Sequence, residues 1–169
     1  MKRWRANLAI EYAAAKNVLI VLAAGNSAKD IDVDANCMFP QRFETEKLIR
    51  VAEIDFQGNL YRAELSGKFV GGSNYGLRRV EIASLGMNYT TEVVGRVPTY
   101  GLGGGTSDAA PVVSGVAALM LSVNPKLTAV QLKKLLLDSA TKLPALKGKV
   151  TSEGIVNAHA AVVAAQTAH

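Results

Sequence analysis

Cysteine is nearly absent: Cys37 is the only one in 169 residues. That excludes an internal disulfide and any zinc site built on thiolates. Histidine is almost as scarce, with His159 and His169 alone. No block of five or six like charges occurs. The positive residues are scattered from Lys2, Arg3 and Arg5, through Arg78, Arg79, Lys133 and Lys134, to Lys147 and Lys149, for a net charge of +5. With no basic run interleaved with aromatics, the pattern is a solvated surface and no nucleic-acid partner is expected. The longest apolar runs, residues 18–25 and 112–123, are too short to cross a bilayer, so no membrane span is expected. The basic opening MKRWRANLAIEY has no apolar stretch behind it and does not read as a signal peptide.

What the chain does have is apolar residues, 49% of the total against 20% charged. That composition and length fit one soluble α/β domain with a real core. Residues 6–16 are Ala-rich with apolar positions near helical spacing, predicting a helix that ends near Asn17. VLIVLAA follows and is closed by Gly25-Asn26, a buried parallel strand by its β-branched apolar character. A second strand fits Leu48 to Asp55, with a turn at Gln57-Gly58-Asn59. Short strands are expected near Arg62–Leu65, Val80–Ala83 and Glu92–Gly95. From Thr106, SDAAPVVSGVAALMLSV is apolar nearly all round, the mark of a helix buried inside a domain. Thr128 is placed to cap an amphipathic helix, AVQLKKLLLDSA, and a last helix fits Val156 to Ala165.

Two local patterns carry chemistry. Ala23-Ala24-Gly25-Asn26 closes a parallel strand, and ligands bind at the carboxyl ends of such strands. An Asn amide there can donate to a developing negative charge. Gly105-Thr106-Ser107-Asp108-Ala109-Ala110-Pro111 opens the apolar helix, placing a hydroxyl among unpaired N–H groups at the positive end of the helix dipole.

GTSDAAPVVSGVAALMLS resembles the serine motif of the subtilisin family, and LIVLAAGN the strand that ends in that family's oxyanion Asn. Phe39-Pro40 is similar to its Tyr-Pro loop, which carries a cis-proline beside the S1 pocket. Ser73-Asn74-Tyr75-Gly76 is similar to its F-S-N-Y-G turn, residues 80–86 to its V-D-I-x-A-P-G strand, and Gly154-Ile155-Val156-Asn157-Ala158 to its closing helix start. The six matches keep the family's order between residue 10 and about residue 165.

The resemblance implies a subtilisin-like three-layer α/β fold with a mostly parallel sheet and a buried central helix. It implies a serine endopeptidase acting on peptide or protein substrates, from a family often secreted. Ser107 would be the nucleophile, Asn26 the oxyanion donor, and Thr106 a support for the hole. Ala23, Ala24 and Gly25 would wall S1, with Met38 near its base, where its bulk predicts a shallow pocket. No cofactor is required for this chemistry. Relatives often carry structural calcium, and Asp30, Asp32 and Asp34 offer oxygen ligands, although such a run usually marks a solvated loop.

The chain departs from the family in one respect. The Asp-Ser/Thr-Gly and His-Gly-Thr-His motifs, which precede the oxyanion Asn in the family, do not occur here. His159 reads as an ordinary helix residue and His169 as the terminus. Residues 1–169 are therefore expected to be the C-terminal portion of a catalytic domain, its N-terminal portion missing and acting as partner, with little peptidase activity alone. Asp108 stands where the family commonly has Met, Phe or Tyr. The rival reading is a non-catalytic subtilase-like module that binds or regulates. The Gly101–Gly105 run does not make a nucleotide site, because position 106 is Thr and no Gly-Lys-Ser/Thr follows.

Overall fold

The computed structural model describes residues 2–94 and 97–168. Gly95 of the third expected short strand and His169 lie outside them. The elements run in order as α1 (Lys2–Ala15), β1 (Ile20–Ala23), β2 (Leu48–Ile54), β3 (Arg62–Leu65), β4 (Lys68–Gly72), β5 (Ile82–Leu85), β6 (Asn88–Val94), β7 (Val97–Gly103), α2 (Thr106–Val123), α3 (Ala129–Asp138), β8 (Thr141–Lys142), β9 (Gly154–Ile155) and α4 (Ala158–Thr167). Five strands form the central sheet in the order β1-β2-β5-β9-β8. The β1–β2, β2–β5 and β5–β9 pairs are parallel, and β8 closes the far edge antiparallel to β9. Two hairpins, β3–β4 and β6–β7, stand outside it.

The seven residues of β2 are all buried, which fits an interior strand covered on both faces. Side chains alternate across a strand. Ile49 and Val51 enter the core under α2 with Val113, Val116 and Met120. Ala52 and Ile54 enter a second core on the other face with Ile31, Val80, Leu146 and Val150. That face also holds a buried ion pair, Arg50 to Glu81 at 3.1 Å, with Lys133 at 2.8 Å from the same carboxylate.

Several boundaries differ from the sequence expectation for identifiable reasons. The third sheet strand starts at Ile82 rather than Val80, because the ladder to β2 begins with Val51 opposite Ile82. The last helix starts at Ala158 because the Asn157 side chain accepts the Ala160 N–H at 2.9 Å and caps it. Thr128 caps α3 as expected, in a reciprocal box with Gln131. The largest difference concerns α2. It buries Thr106, Ala109, Ala110, Val113, Val116, Ala117 and Met120, while Val112, Leu119, Leu121 and Val123 are exposed. An all-round apolar helix needs cover on every side, and this chain supplies the sheet and the other helices on one side alone. By length and composition α2 would suffice to span a membrane, but its sheet-facing stripe is core packing.

Candidate active site

Asn26 lies three residues beyond the end of β1, at the carboxyl edge of the sheet, and α2 begins beside it. The Asn26 side chain is oriented by two donors. Its Oδ1 accepts the Thr106 N–H at 3.0 Å and the Thr106 hydroxyl at 2.8 Å. The amide therefore presents Nδ2 as its donating end, 3.1 Å from where a Cβ on Gly105 would stand. Thr106 is fully buried, and its Oγ1 also accepts the Gly25 N–H at 3.0 Å. One threonine thus ties the loop after β1 to the start of α2. Ser107 and Asn26 are both exposed at the surface of this corner. Pro111 lacks the N–H that would bond the Ser107 carbonyl four residues back, so the serine sits on a locally freed first turn.

Asn74 holds the other side of the same loop, and sequence reasoning assigned it no role beyond a motif match. Its Oδ1 accepts the N–H groups of Ser27 at 3.1 Å and Lys29 at 3.0 Å, while its Nδ2 donates to Ala24 O at 2.9 Å. Its backbone N–H adds a bond to Gly25 O at 2.7 Å. Gly25 has φ of +102°, and a Cβ there would stand 2.5 Å from Asn74 Nδ2, so the clamp requires glycine. Asn74 is buried, and Asn74→Ala would remove the partner of two N–H donors and a carbonyl. Urea unfolding of that variant is expected to show a loss of about 1–3 kcal/mol, the cost of stranding the buried Ala24 carbonyl, since the Ser27 and Lys29 N–H groups belong to exposed residues and can turn to water.

Ala24 is buried and Ala23 and Gly25 half-buried along the strand end. Met38 is exposed on the adjoining loop, whose Phe39-Pro40 bond is cis as the resemblance implied. Gln41 connects that loop to the strand through Nε2 to Ala23 O at 2.9 Å. Arg50 anchors it from below, with Nε donating to Gln41 O at 2.6 Å and a further bond to Phe43 O. His159 is exposed on α4. The three aspartates each have local partners. Asp30 Oδ1 accepts the Asp32 N–H, Asp32 accepts the N–H groups of Arg78 and Arg79, and Asp34 pairs with Arg79 at 2.7 Å. Arg79 beside it holds the Asp34 carboxyl below the usual range. Among the described residues no three His, Cys, Asp or Glu side chains form a metal-holding group.

Buried behind the serine loop is a carboxyl that the local motifs did not single out. Glu53 on β2 is fully buried, and its Oε1 accepts the Gly105 N–H at 2.9 Å. Its signal in the sequence was one of two charged residues, with Arg50, inside the fully buried run LIRVAEI. Burial pushes the Glu53 carboxyl up from its ordinary value, the Gly105 N–H opposes that, and the Asp108 charge adds to it.

The sequence model of the family described as "Subtilase family" matches residues 1–157. The chain is 36% identical over 144 residues to the subtilisin-like protease PopC of Myxococcus xanthus, covering 82% of this chain and 27% of that protein. It is 35% identical over 155 residues to the alkaline elastase YaB of a Bacillus species, covering 90% of this chain and 35% of that protein. A protease structure from Pseudoalteromonas arctica superposes with a TM-score of 0.70 at 29% identity, over 94% of this chain and 46% of that one. The chain therefore spans less than half the length of these relatives.

Proposed function

Because the chain belongs to the subtilase family, we propose that it supplies the nucleophile and oxyanion half of a serine endopeptidase. The general base and its orienting carboxylate come from an N-terminal segment bearing the Asp and His motifs. The observation that carries this reading is the Asn26–Thr106 pair, which fixes an Asn amide with its donor end outward beside an exposed serine at a helix start.

Ser107 Oγ attacks the scissile carbonyl of a peptide as its proton passes to the imidazole of that segment. The tetrahedral oxyanion receives Asn26 Nδ2 and the Ser107 N–H, one of the first-turn groups with no intrahelical carbonyl to bond. The imidazolium then gives its proton to the leaving amine as the C–N bond breaks, and water hydrolyses the acyl-enzyme by the same route reversed. No cofactor is needed. Residues Ala23 to Gly25 form one wall of S1, and Met38, carried on the loop tied to Ala23 by Gln41, narrows it.

The complementing segment packs where this chain leaves apolar surface open. Among the described residues β1 is the edge strand of the central sheet, paired with β2 on one side. Beside it runs a groove lined by Val18, Leu19, Val21, Ala117, Ala118 and Leu121. The uncovered side of α2 adjoins this groove.

A fluorophosphonate probe tests the reading. The chain alone is expected to label at background rate, and the chain refolded with a segment carrying the Asp and His motifs is expected to label at Ser107. Rapid labelling of the lone chain, or none after complementation, overturns it.

A further inference from the structure

The apolar strand β2 carries two charged residues three positions apart, so they face opposite sides of the sheet. Arg50 is matched by Glu81. Glu53 has no ion-pair partner among the described residues. It points to the α2 side, at the end of the strand nearest the serine loop, and is 0% exposed. Among the described residues its Oε2 has no hydrogen-bond partner, whereas Oε1 takes the Gly105 N–H. The fit is close on the side of Gly86. A Cβ on Gly86 would stand 2.6 Å from Glu53 Cγ and 2.7 Å from both Glu53 Oε1 and Gly105 O. Gly105 itself has φ of +136° and immediately precedes Thr106 and Ser107. A carboxyl buried without a counter-charge is costly, and an apolar side chain in its place would leave the Gly105 N–H without its acceptor. Its placement points to the loop it grips.

We propose that Glu53 is a positioning residue for the nucleophile: its carboxyl holds the Gly105 N–H and so sets the backbone that presents Thr106 and Ser107. The inference rests on the proposed role of Ser107, but what it requires can be read without catalysis. The ionised carboxylate is the stronger acceptor, so deprotonation tightens the loop. The same step costs stability. Burial raises the folded-state value of Glu53 above its unfolded one. Between the two values the folded chain binds more protons than the unfolded one, so stability falls as pH rises through the folded value. Site order and global stability thus move in opposite directions with pH. Among the described residues, Asp108 on the first turn of α2 is the ionisable group whose charge acts on Glu53. Ser84, its neighbour across the ladder on β5, and the surrounding glycines are uncharged.

The test is an NMR pH titration of the isotopically labelled full chain, repeated on its complex with the complementing segment if the chain alone self-associates. The Glu53 carboxyl carbon, the Gly105, Thr106 and Ser107 amides and the Asn26 side-chain amide are expected to share one midpoint. That midpoint lies above the ordinary glutamate value of about 4.3, and the Gly105 amide proton moves downfield as pH rises. Asp108→Asn lowers the midpoint and keeps the coupling. Glu53→Gln abolishes the shared titration yet keeps the acceptor, so exchange protection at Gly105 is retained. Glu53→Leu loses that protection by about tenfold, the size of one hydrogen bond. An ordinary Glu53 midpoint, loop amides indifferent to it, or equal protection in the Gln and Leu variants overturns the proposal. None of these readings depends on whether Ser107 proves to be a nucleophile.

Discussion

Ser107→Ala in the complemented enzyme lowers kcat by about 10⁶, the loss known for the equivalent change in subtilisin and carried over to this chain rather than calculated for it. Alanine keeps the backbone N–H and the helix start, so substrate still binds and the oxyanion donors remain. What disappears, on the proposed role of Ser107, is the atom that forms the acyl-enzyme. Ser107 is exposed, so the change opens no cavity, and the melting temperature of the variant should match that of the parent. Rates on a peptide substrate and loss of fluorophosphonate labelling measure the effect. A kcat reduced less than about a hundredfold would mean that another residue attacks.

Asn26→Leu is expected to lower kcat by about 10² to 10³ with little change in KM. The magnitude again comes from subtilisin, where one oxyanion donor is worth about 3–4 kcal/mol in the transition state. The donor acts on charge that exists only after attack, so ground-state binding does not register its loss. The substitution also removes the acceptor of the Thr106 N–H and hydroxyl, and Thr106 is buried. Some loss of stability therefore accompanies the loss of rate. Thr106→Val takes away one of the two donors that orient the amide, and with it the acceptor of the Gly25 N–H, while leaving Nδ2 in place. It too loses some stability, and its kcat should fall between those of the parent and Asn26→Leu. If Thr106→Val is as slow as Asn26→Leu, orientation of the amide matters as much as its presence. If both variants keep the parent rate, Asn26 is not the oxyanion donor.

The element types along α1, β1, β2, α2, α3 and α4 were legible because each follows from a local pattern. An apolar run after an Ala-rich helix makes β1, an alternation-free apolar stretch makes β2, and Thr128 with Gln131 makes a cap. The strands β7 and β9 were not legible as such. β7 is glycine-rich, and β9 is two residues long and exists through its pairing with Ala83 and Thr141. The burial of α2 was read too broadly, because sequence states that a helix is apolar but not which neighbours this chain provides. The same limit explains Glu53. Its charge in the run LIRVAEI was visible, but its partner Gly105 is 52 residues away.

Sequence alone determined the family, and the resemblance singled out a helix-start serine and a strand-end asparagine. Those signals sit in contiguous motifs, where local geometry follows from a few adjacent residues. Only the tertiary structure decided how the two segments, 80 residues apart, lock together through Thr106 and Asn26. It also decided that Asn74 clamps the loop between them and that a buried carboxyl lies beneath the serine. Each of these is a hydrogen bond between distant positions, made when the sheet brings the strand ends to one edge, and no spacing in the chain encodes it.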